Sequence, residues 1–161
     1  MSRQPGLFEE APAPRRQKPA AGDVQPSWDT PLLGAPPLPP EIRLGTSSWF
    51  FPGWRGLVYE GVHPQTVLSK KGLAAYAQIP LLRTVSLDRT FYAAITTIEY
   101  SRYAAQVPDG FSFVVKAPAM VCDAVMRGED GRGRVANPHF LDAAIAAREF
   151  VAGMVRRTGQ R

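Results

Sequence analysis

Strand-like runs alternate with helical stretches three times from residue 41 onward, and this alternation limits the fold more than any other feature. The strands are predicted at 42–47, 83–88 and 111–116, where apolar residues alternate with polar ones between turn signals. Strand–helix repetition predicts a parallel sheet with right-handed crossovers and with helices outside it. The fold class is therefore α/β, with about three strand–helix units.

Start and stop signals place the helices. A helix around 69–78 should end before Pro80, and the capping box 96–99 opens a second helix that ends at 108–110. An irregular polar segment, 127–134, leads to Asn137-Pro138, an N-cap and first-turn proline for the last helix. That helix is predicted to bury one face, made of Phe140, Ala143, Ala144, Ala147, Phe150 and Val151.

Residues 1–40 read as a separate, proline-rich leader. They hold ten of the sixteen prolines, and their apolar residues never become periodic. Such a composition buries too little apolar surface to offset the entropy of ordering the chain. We therefore predict a disordered leader over 1–40 and a folded domain over 41–161.

The net charge of +5 does not indicate a nucleic-acid surface, because residues 41–150 carry 12 basic and 10 acidic residues. No apolar run approaches the roughly 18 residues of a membrane helix. The single cysteine, Cys122, is compatible with a reducing compartment, so a cytoplasmic location is the default expectation. With His63 and His139 it makes too small and too irregular a set for a zinc site, and the pattern identifies no cofactor.

Alternation along the strands predicts which side chains face the covering helices: Ile42, Leu44, Val85, Leu87, Phe113 and Val115. Polar residues then share the other side, at the carboxyl ends of the strands, where chemistry gathers in parallel sheets. Asp88, Lys116 and Tyr92 are the candidate catalytic residues. Lys116 ends an apolar strand and needs a partner, for which Asp88 is placed. Lys116 could bind an anionic substrate, or it could transfer protons beside Asp88. The alternative is a structural ion pair of the two residues that fills the space at the strand ends.

Five further residues are candidates for ligand binding. Ser47 offers a hydroxyl, and Thr90, like Tyr92, could donate a hydroxyl to a ligand at the strand ends. The loop after the first strand offers Trp49, Trp54 and Arg55. Indole rings can stack on a base or sugar while a guanidinium holds a phosphate, which suggests a small-molecule, phosphate-bearing or nucleotide-like ligand. The alternative is a packed aromatic loop without a ligand.

A short peptide in the leader suggests a different function. Gln4-Pro5-Gly6-Leu7-Phe8 is similar to the Gln-x-x-Leu-Phe peptides by which many bacterial proteins dock on the replication sliding clamp. Gln4, Leu7 and Phe8 are its candidate binding residues. An inert tail is the alternative.

Four motifs in order resemble the YecE-like family, domain of unknown function 72. They are Gly45-Thr46-Ser47-Ser48-Trp49, Pro52-Gly53-Trp54-Arg55-Gly56 with Tyr59, Thr90-Phe91-Tyr92, and the segment 108–118. The resemblance implies a TIM-barrel-type fold in soluble prokaryotic proteins, and it implies no established activity. At 86–92 this chain departs from the family's Glu-x-Asn-Ser-Thr-Phe-Tyr pattern, so the role of that Glu is lost and the role of the Asn passes at best to Asp88.

A complete barrel takes roughly 250 residues and eight strands, whereas three strand–helix units are predicted here. We therefore expect a partial TIM-barrel-like sheet from a truncated member of the family. Three hypotheses for function follow: a ligand site at the barrel mouth, tethering to the sliding clamp, and a fragment without independent function.

Overall fold

The computed structural model of the chain describes residues 23–128 and 132–155. Three strands form the predicted parallel sheet in the order β1-β2-β3. They are β1 (Leu44–Thr46), β2 (Leu82–Leu87) and β3 (Ser112–Val115). Leu87 pairs with Val115, so the last residues of β2 and β3 are level and the residues that follow them become neighbours.

The first two helices confirm the predictions. Helix α1 (Gln65–Tyr76) ends before Pro80 and begins four residues earlier than the predicted 69. Helix α2 (Thr97–Ala104) starts at the predicted capping box, in which Thr96 Oγ1 accepts from the backbone N–H of Glu99 and Glu99 Oε2 accepts from that of Thr96. Two orphan donors of the first turn are thereby satisfied.

One core lies between the sheet and α1. Val85 and Leu87 on β2 are buried, as the predicted parity requires, and they pack in a cluster with Leu68, Leu73 and Tyr76 of α1. The Tyr76 hydroxyl donates to Thr84 O over 3.0 Å and also contacts Thr46. This hydroxyl therefore ties α1 to both β1 and β2.

The predicted parity is wrong for β1. Leu44 is 44% exposed and Ile42 is 47% exposed, although both were expected to face the helices. β1 is an edge strand, and its pairing with β2 shifts register between Leu44 and Gly45. A register shift changes the face on which side chains lie, so alternation read along the strand fails here.

Part of the predicted leader is folded. Val24 is 5% exposed, Ser27 N donates to Val58 O over 2.8 Å, and Glu60 N donates to Gln25 O over 2.9 Å. A 3₁₀ turn follows at Pro31–Gly34, capped by Thr30. The prediction of disorder over 1–40 is therefore wrong for 24–34, because a few apolar side chains and backbone hydrogen bonds hold this segment on the domain.

The segment 127–134 was predicted to be irregular, yet its ends belong to an antiparallel hairpin of β4 (Val125–Arg127) and β5 (Gly133–Ala136). Met126 pairs with Val135, and both are about half exposed. The two paired runs are short and the segment between them is charged, so the sequence lacks the apolar alternation that would have predicted the strands. The short helix α3 (Ala119–Cys122) precedes the hairpin.

The last helix does not begin at Asn137-Pro138. The Asn137 side chain donates to Met120 O and Asp123 O over 2.9 and 2.8 Å, and Leu141 has a left-handed φ of 57°. Asp142 caps the helix instead, through backbone N–H groups of Ala144 and Ile145. The helix then runs through α4 (Ala143–Ala146), a π-helical turn (Ala147–Val151) and α5 (Ala152–Val155).

The predicted buried face of this helix is also wrong. None of the residues of α4 or of the π-helical turn is buried, and Phe140 and Val151 are each more than 40% exposed. The helix contacts α2 near its end, where Gly153 lies against the Tyr100 ring. Helical spacing predicts an apolar face, but it does not predict whether another element packs against that face.

Candidate functional site

The carboxyl ends of β2 and β3 bring Asp88 and Lys116 together. Lys116 Nζ lies 3.0 Å from Asp88 Oδ2, and the two side chains are 51% and 38% exposed. Asp88 opens a 3₁₀ turn (Asp88–Phe91) directly after β2, and Lys116 directly follows β3. Level strand ends thus produce the ion pair expected from the sequence.

Asp88 also accepts a hydrogen bond from the Ser86 hydroxyl at Oδ1. This hydrogen bond is the main cause that lowers the pKa of Asp88 below its ordinary value, and Lys116 lowers the pKa further, while burial acts in the opposite direction. Asp88 is therefore held as a carboxylate, and both of its oxygens are engaged.

Thr90 is fully buried, and its hydroxyl bonds to the backbone. Thr90 Oγ1 donates to Leu87 O over 2.6 Å and lies 2.7 Å from Lys116 O. The side chain therefore connects the ends of β2 and β3, which positions the Asp88–Lys116 pair above them.

A cavity of about 720 Å³ opens beside these strand ends. Ser47 and Ser48 after β1, Ser86 to Arg89 at the end of β2, and Ser69 and Lys70 of α1 form three of its sides. Helix α2 and the turn after it supply the remaining polar wall, through Glu99, Arg102, Tyr103 and Gln106. The cavity therefore lies where strand–helix folds generally bind ligands.

The charges in the cavity are unequally paired. Arg89 Nη2 lies 2.9 Å from Glu99 Oε1, and Arg89 Nη1 donates to the Tyr103 hydroxyl over 3.0 Å. Asp88 is paired with Lys116 at the edge of the cavity. Within the described parts of the chain, Lys70 and Arg102 have no carboxylate within ion-pair distance, so two positive charges face the cavity uncompensated.

Aromatic rings form the apolar wall of the cavity. Trp49 is 4% exposed, and it packs edge-on against Phe50 and Tyr103 with ring centroids 5.6 and 5.3 Å away. The buried Tyr59 hydroxyl donates to Trp49 O and fixes this loop. Trp49 Nε1 is buried and has no hydrogen-bond partner among the described residues.

The predicted site residues separate into two groups. Ser47, Trp49 and Asp88 line the cavity. Lys116 does not line it but forms an ion pair with Asp88, which does. The others do not line it: Tyr92 is 84% exposed, Trp54 packs on Tyr76 and Phe51, Arg55 is exposed, and Thr90 is buried below. The predicted stacking wall of Trp49, Trp54 and Arg55 is thus not assembled in the cavity.

Sequence reasoning missed the cationic residues of the cavity. Lys70, Arg89 and Arg102 come from α1, from the turn after β2 and from α2. One signal in the sequence could have indicated Arg102. Polar side chains follow helical spacing on one face, at Glu99, Arg102, Tyr103 and Gln106. The predicted clamp-binding residues Gln4, Leu7 and Phe8 lie outside the described residues.

Across 23–128 and 132–155, no group of three or more His, Cys, Asp or Glu side chains is arranged to hold a metal ion. Over the same ranges no helix combines the length and the apolar character that crossing a membrane requires.

The chain matches a protein family. The model of the family described as "Protein of unknown function DUF72" matches residues 43–155. No curated protein and no solved structure matches the chain. The matched range contains all three strands of the parallel sheet and every residue that lines the cavity, and it covers more than half of the sequence. The predicted resemblance is confirmed, and the chain belongs to the DUF72 family.

Proposed function

We propose that the protein binds a small, phosphate-bearing molecule in the cavity at the ends of β1 and β2. The observation that carries this proposal is the pair Lys70 and Arg102, which face the cavity without a carboxylate partner among the described residues. A phosphate group supplies the missing negative charge, and an arginine binds it through two parallel hydrogen bonds.

The rest of the wall favours a ligand that also carries a ring. Phe50 and Tyr103 are half-buried and line the same cavity, so they offer apolar surface to a base or sugar. Ser47 and Ser48 supply hydroxyls that can donate to the polar groups of the ligand, whereas the hydroxyls of Ser69 and Ser86 already donate to Thr66 O and Asp88. A volume of about 720 Å³ is within the range of small-molecule sites, so a nucleotide-like ligand fits the proposal.

Asp88 and Lys116 are the proposed reactive pair at the edge of the cavity. Lys116 Nζ lies 3.0 Å from Asp88 Oδ2, so a ligand hydroxyl that binds the Asp88 carboxylate there would compete with Lys116. Tyr92 has no part in this proposal, because it does not line the cavity and is 84% exposed.

The proposal is tested by calorimetric titration of the full chain with adenosine 5′-monophosphate. We expect the double variant Lys70→Gln/Arg102→Gln to weaken binding about tenfold or more, because hydrogen bonds to charged groups contribute roughly 1.5–3 kcal/mol each. The matched control is Lys71→Gln, which removes the same charge from the next residue of α1, outside the cavity.

Retained affinity in the double variant, with normal thermal unfolding, would contradict the proposal. Equal losses in the double variant and in Lys71→Gln would contradict it too, because such losses report net charge and not the cavity.

We infer a TIM-barrel-type arrangement for the sheet of this domain. Parallel strands in sequential order, with helices between them, are the arrangement from which such barrels are built, and membership in the DUF72 family supports the inference. A crystal structure in which β3 pairs with a further parallel strand would bear it out, and one with an antiparallel neighbour at β3 would refute it.

The peptide Gln4-Pro5-Gly6-Leu7-Phe8 supports a second proposed function, which is tethering to a replication sliding clamp. We expect a bacterial sliding clamp to be retained by the immobilised wild-type chain and lost with Leu7→Ala/Phe8→Ala, since the two apolar side chains would fill a pocket. Equal retention by both chains would eliminate this function.

A further inference from the structure

Glu99 has two tasks, one for each of its carboxylate oxygens. Oε2 accepts from the backbone N–H of Thr96 over 3.0 Å and from its hydroxyl over 3.1 Å, which closes the capping box of α2. Oε1 faces Arg89 at 2.9 Å. The carboxylate therefore stays hydrogen-bonded through Oε2 when Oε1 loses Arg89.

Arg89 is held by weak and replaceable contacts. Its partners are Glu99 and the Tyr103 hydroxyl, and both line the cavity together with Arg89 itself. The Arg89 side chain is 55% exposed and that of Glu99 is 31% exposed, and ion pairs at such exposure contribute about 1 kcal/mol or less. Release of Arg89 from Glu99 therefore has a small free-energy cost.

An anion that enters the cavity meets three cations and the Glu99 carboxylate. The three cations are Lys70, Arg89 and Arg102, of which Arg89 alone has a carboxylate partner in the cavity. A phosphate dianion carries more charge than the Glu99 carboxylate and offers more acceptor oxygens, so it competes well for the guanidinium.

We propose, on the basis of the function proposed above, that Arg89 is a third phosphate-binding residue and that Glu99 masks it in the empty cavity. Ligand phosphate displaces Glu99 from Arg89, and Glu99 remains anchored to Thr96. Glu99 thereby sets the affinity of the site for phosphate, because its own charge competes with the charge of the ligand.

The test uses inorganic phosphate as the probe and the variant Glu99→Gln in the full chain. Glutamine preserves the capping box and removes the negative charge. We expect the Kd for phosphate to fall about fivefold, which corresponds to about 1 kcal/mol of released competition. We expect Arg89→Gln to raise the Kd by a similar factor. The control Glu60→Gln removes one exposed carboxylate outside the cavity and should leave the Kd unchanged.

The double variant Arg89→Gln/Glu99→Gln separates masking from simple repulsion. If Glu99 masks Arg89, the gain from Glu99→Gln shrinks once Arg89 is absent. An undiminished gain in the Arg89→Gln background would overturn the proposal. Thermal unfolding of each variant shows whether its fold is intact, and Arg89→Gln tests the proposal without touching the cap.

The outcomes distinguish this proposal from the one on which it rests. Phosphate binding by wild type that Glu99→Gln leaves unchanged overturns the masking alone. Binding by Glu99→Gln but not by wild type supports the masking. Failure of both chains to bind overturns the function proposed for the cavity and the masking with it.

Discussion

The carboxylate of Asp88 is engaged on both sides, by Ser86 at Oδ1 and by Lys116 at Oδ2. Both contacts favour the ionised form, and they hold the pKa of Asp88 below its ordinary value of 3.8. Because the folded pKa lies below the unfolded pKa, folding favours the carboxylate. The resulting stabilisation is complete above the unfolded pKa and is lost as the pH falls through the folded pKa.

We therefore expect Asp88→Asn to reduce the loss of thermal stability between about pH 4 and pH 2. The effect should be below about 1 kcal/mol, because Asp88 and Lys116 are both partly exposed and solvent screens them. Thermal unfolding across this pH range measures it, with Asp109→Asn in the exposed turn after α2 as the control. If Asp88→Asn loses stability with falling pH as steeply as the wild type does, the lowered pKa of Asp88 is refuted as a source of acid sensitivity.

Gly45 of β1 lies directly against the backbone of β2. A Cβ at this position would overlap with the carbonyl oxygen of Thr84, which is backbone and cannot move aside cheaply. We expect Gly45→Ala to lower the free energy of unfolding by about 1–3 kcal/mol, as overpacking does elsewhere. Urea unfolding is the measurement.

Gly34→Ala is the matched control for Gly45→Ala. A Cβ at Gly34 meets nothing within 4 Å, and this substitution should leave the urea midpoint nearly unchanged. Equal midpoints for the two variants would show that β1 and β2 are farther apart than the structure has them.

At the scale of elements, Thr90 is the connection between β2 and β3. We expect Thr90→Val to lower the free energy of unfolding by about 1–3 kcal/mol, since the isosteric change removes the buried hydroxyl that donates to Leu87 O and contacts Lys116 O. Chemical denaturation measures the change. The control is Thr66→Val on the exposed face of α1, and an equal effect there would contradict a special role for Thr90.

Elements were predictable where the deciding contacts are local. The capping box of α2 lies within four residues, so Thr96 and Glu99 marked the start of that helix correctly. Asn137-Pro138 has an equally good local signal, but the Asn137 amide binds carbonyl groups near α3, and Asp142 becomes the cap. The last helix therefore starts where tertiary hydrogen bonds allow it.

The cavity was predictable only in part, for the same reason. Asp88 and Lys116 follow paired strands, so parity and register were enough to bring them together. Lys70 and Arg102 lie on two different helices, and their placement around one cavity depends on how α1 and α2 pack against the sheet. No spacing along the chain contains that information.

At the scale of the whole molecule, the folded unit extends toward the N-terminus beyond the predicted boundary at 41. Val24 is 5% exposed and belongs to the same core as Val58 and Tyr59. We expect Val24→Ala to lower the stability of the entire domain by about 1–2 kcal/mol and to shift one cooperative transition. Calorimetry provides both quantities.

Val62→Ala is the control for Val24→Ala, because Val62 is 72% exposed. A change limited to a separate, low-temperature transition in Val24→Ala would mean that the segment folds apart from the sheet.

The burial of Trp49 beside the cavity gives the protein an optical reporter. Trp28 is 41% exposed, Trp54 is half-buried and Trp49 is 4% exposed. The three indoles therefore differ in solvent contact and hence in emission wavelength. With Trp28 and Trp54 replaced by phenylalanine, the remaining tryptophan fluorescence, excited selectively over tyrosine, comes from a single indole on the cavity wall. Candidate ligands can then be screened by the quenching or spectral shift of one fluorophore, without labels and without a known reaction.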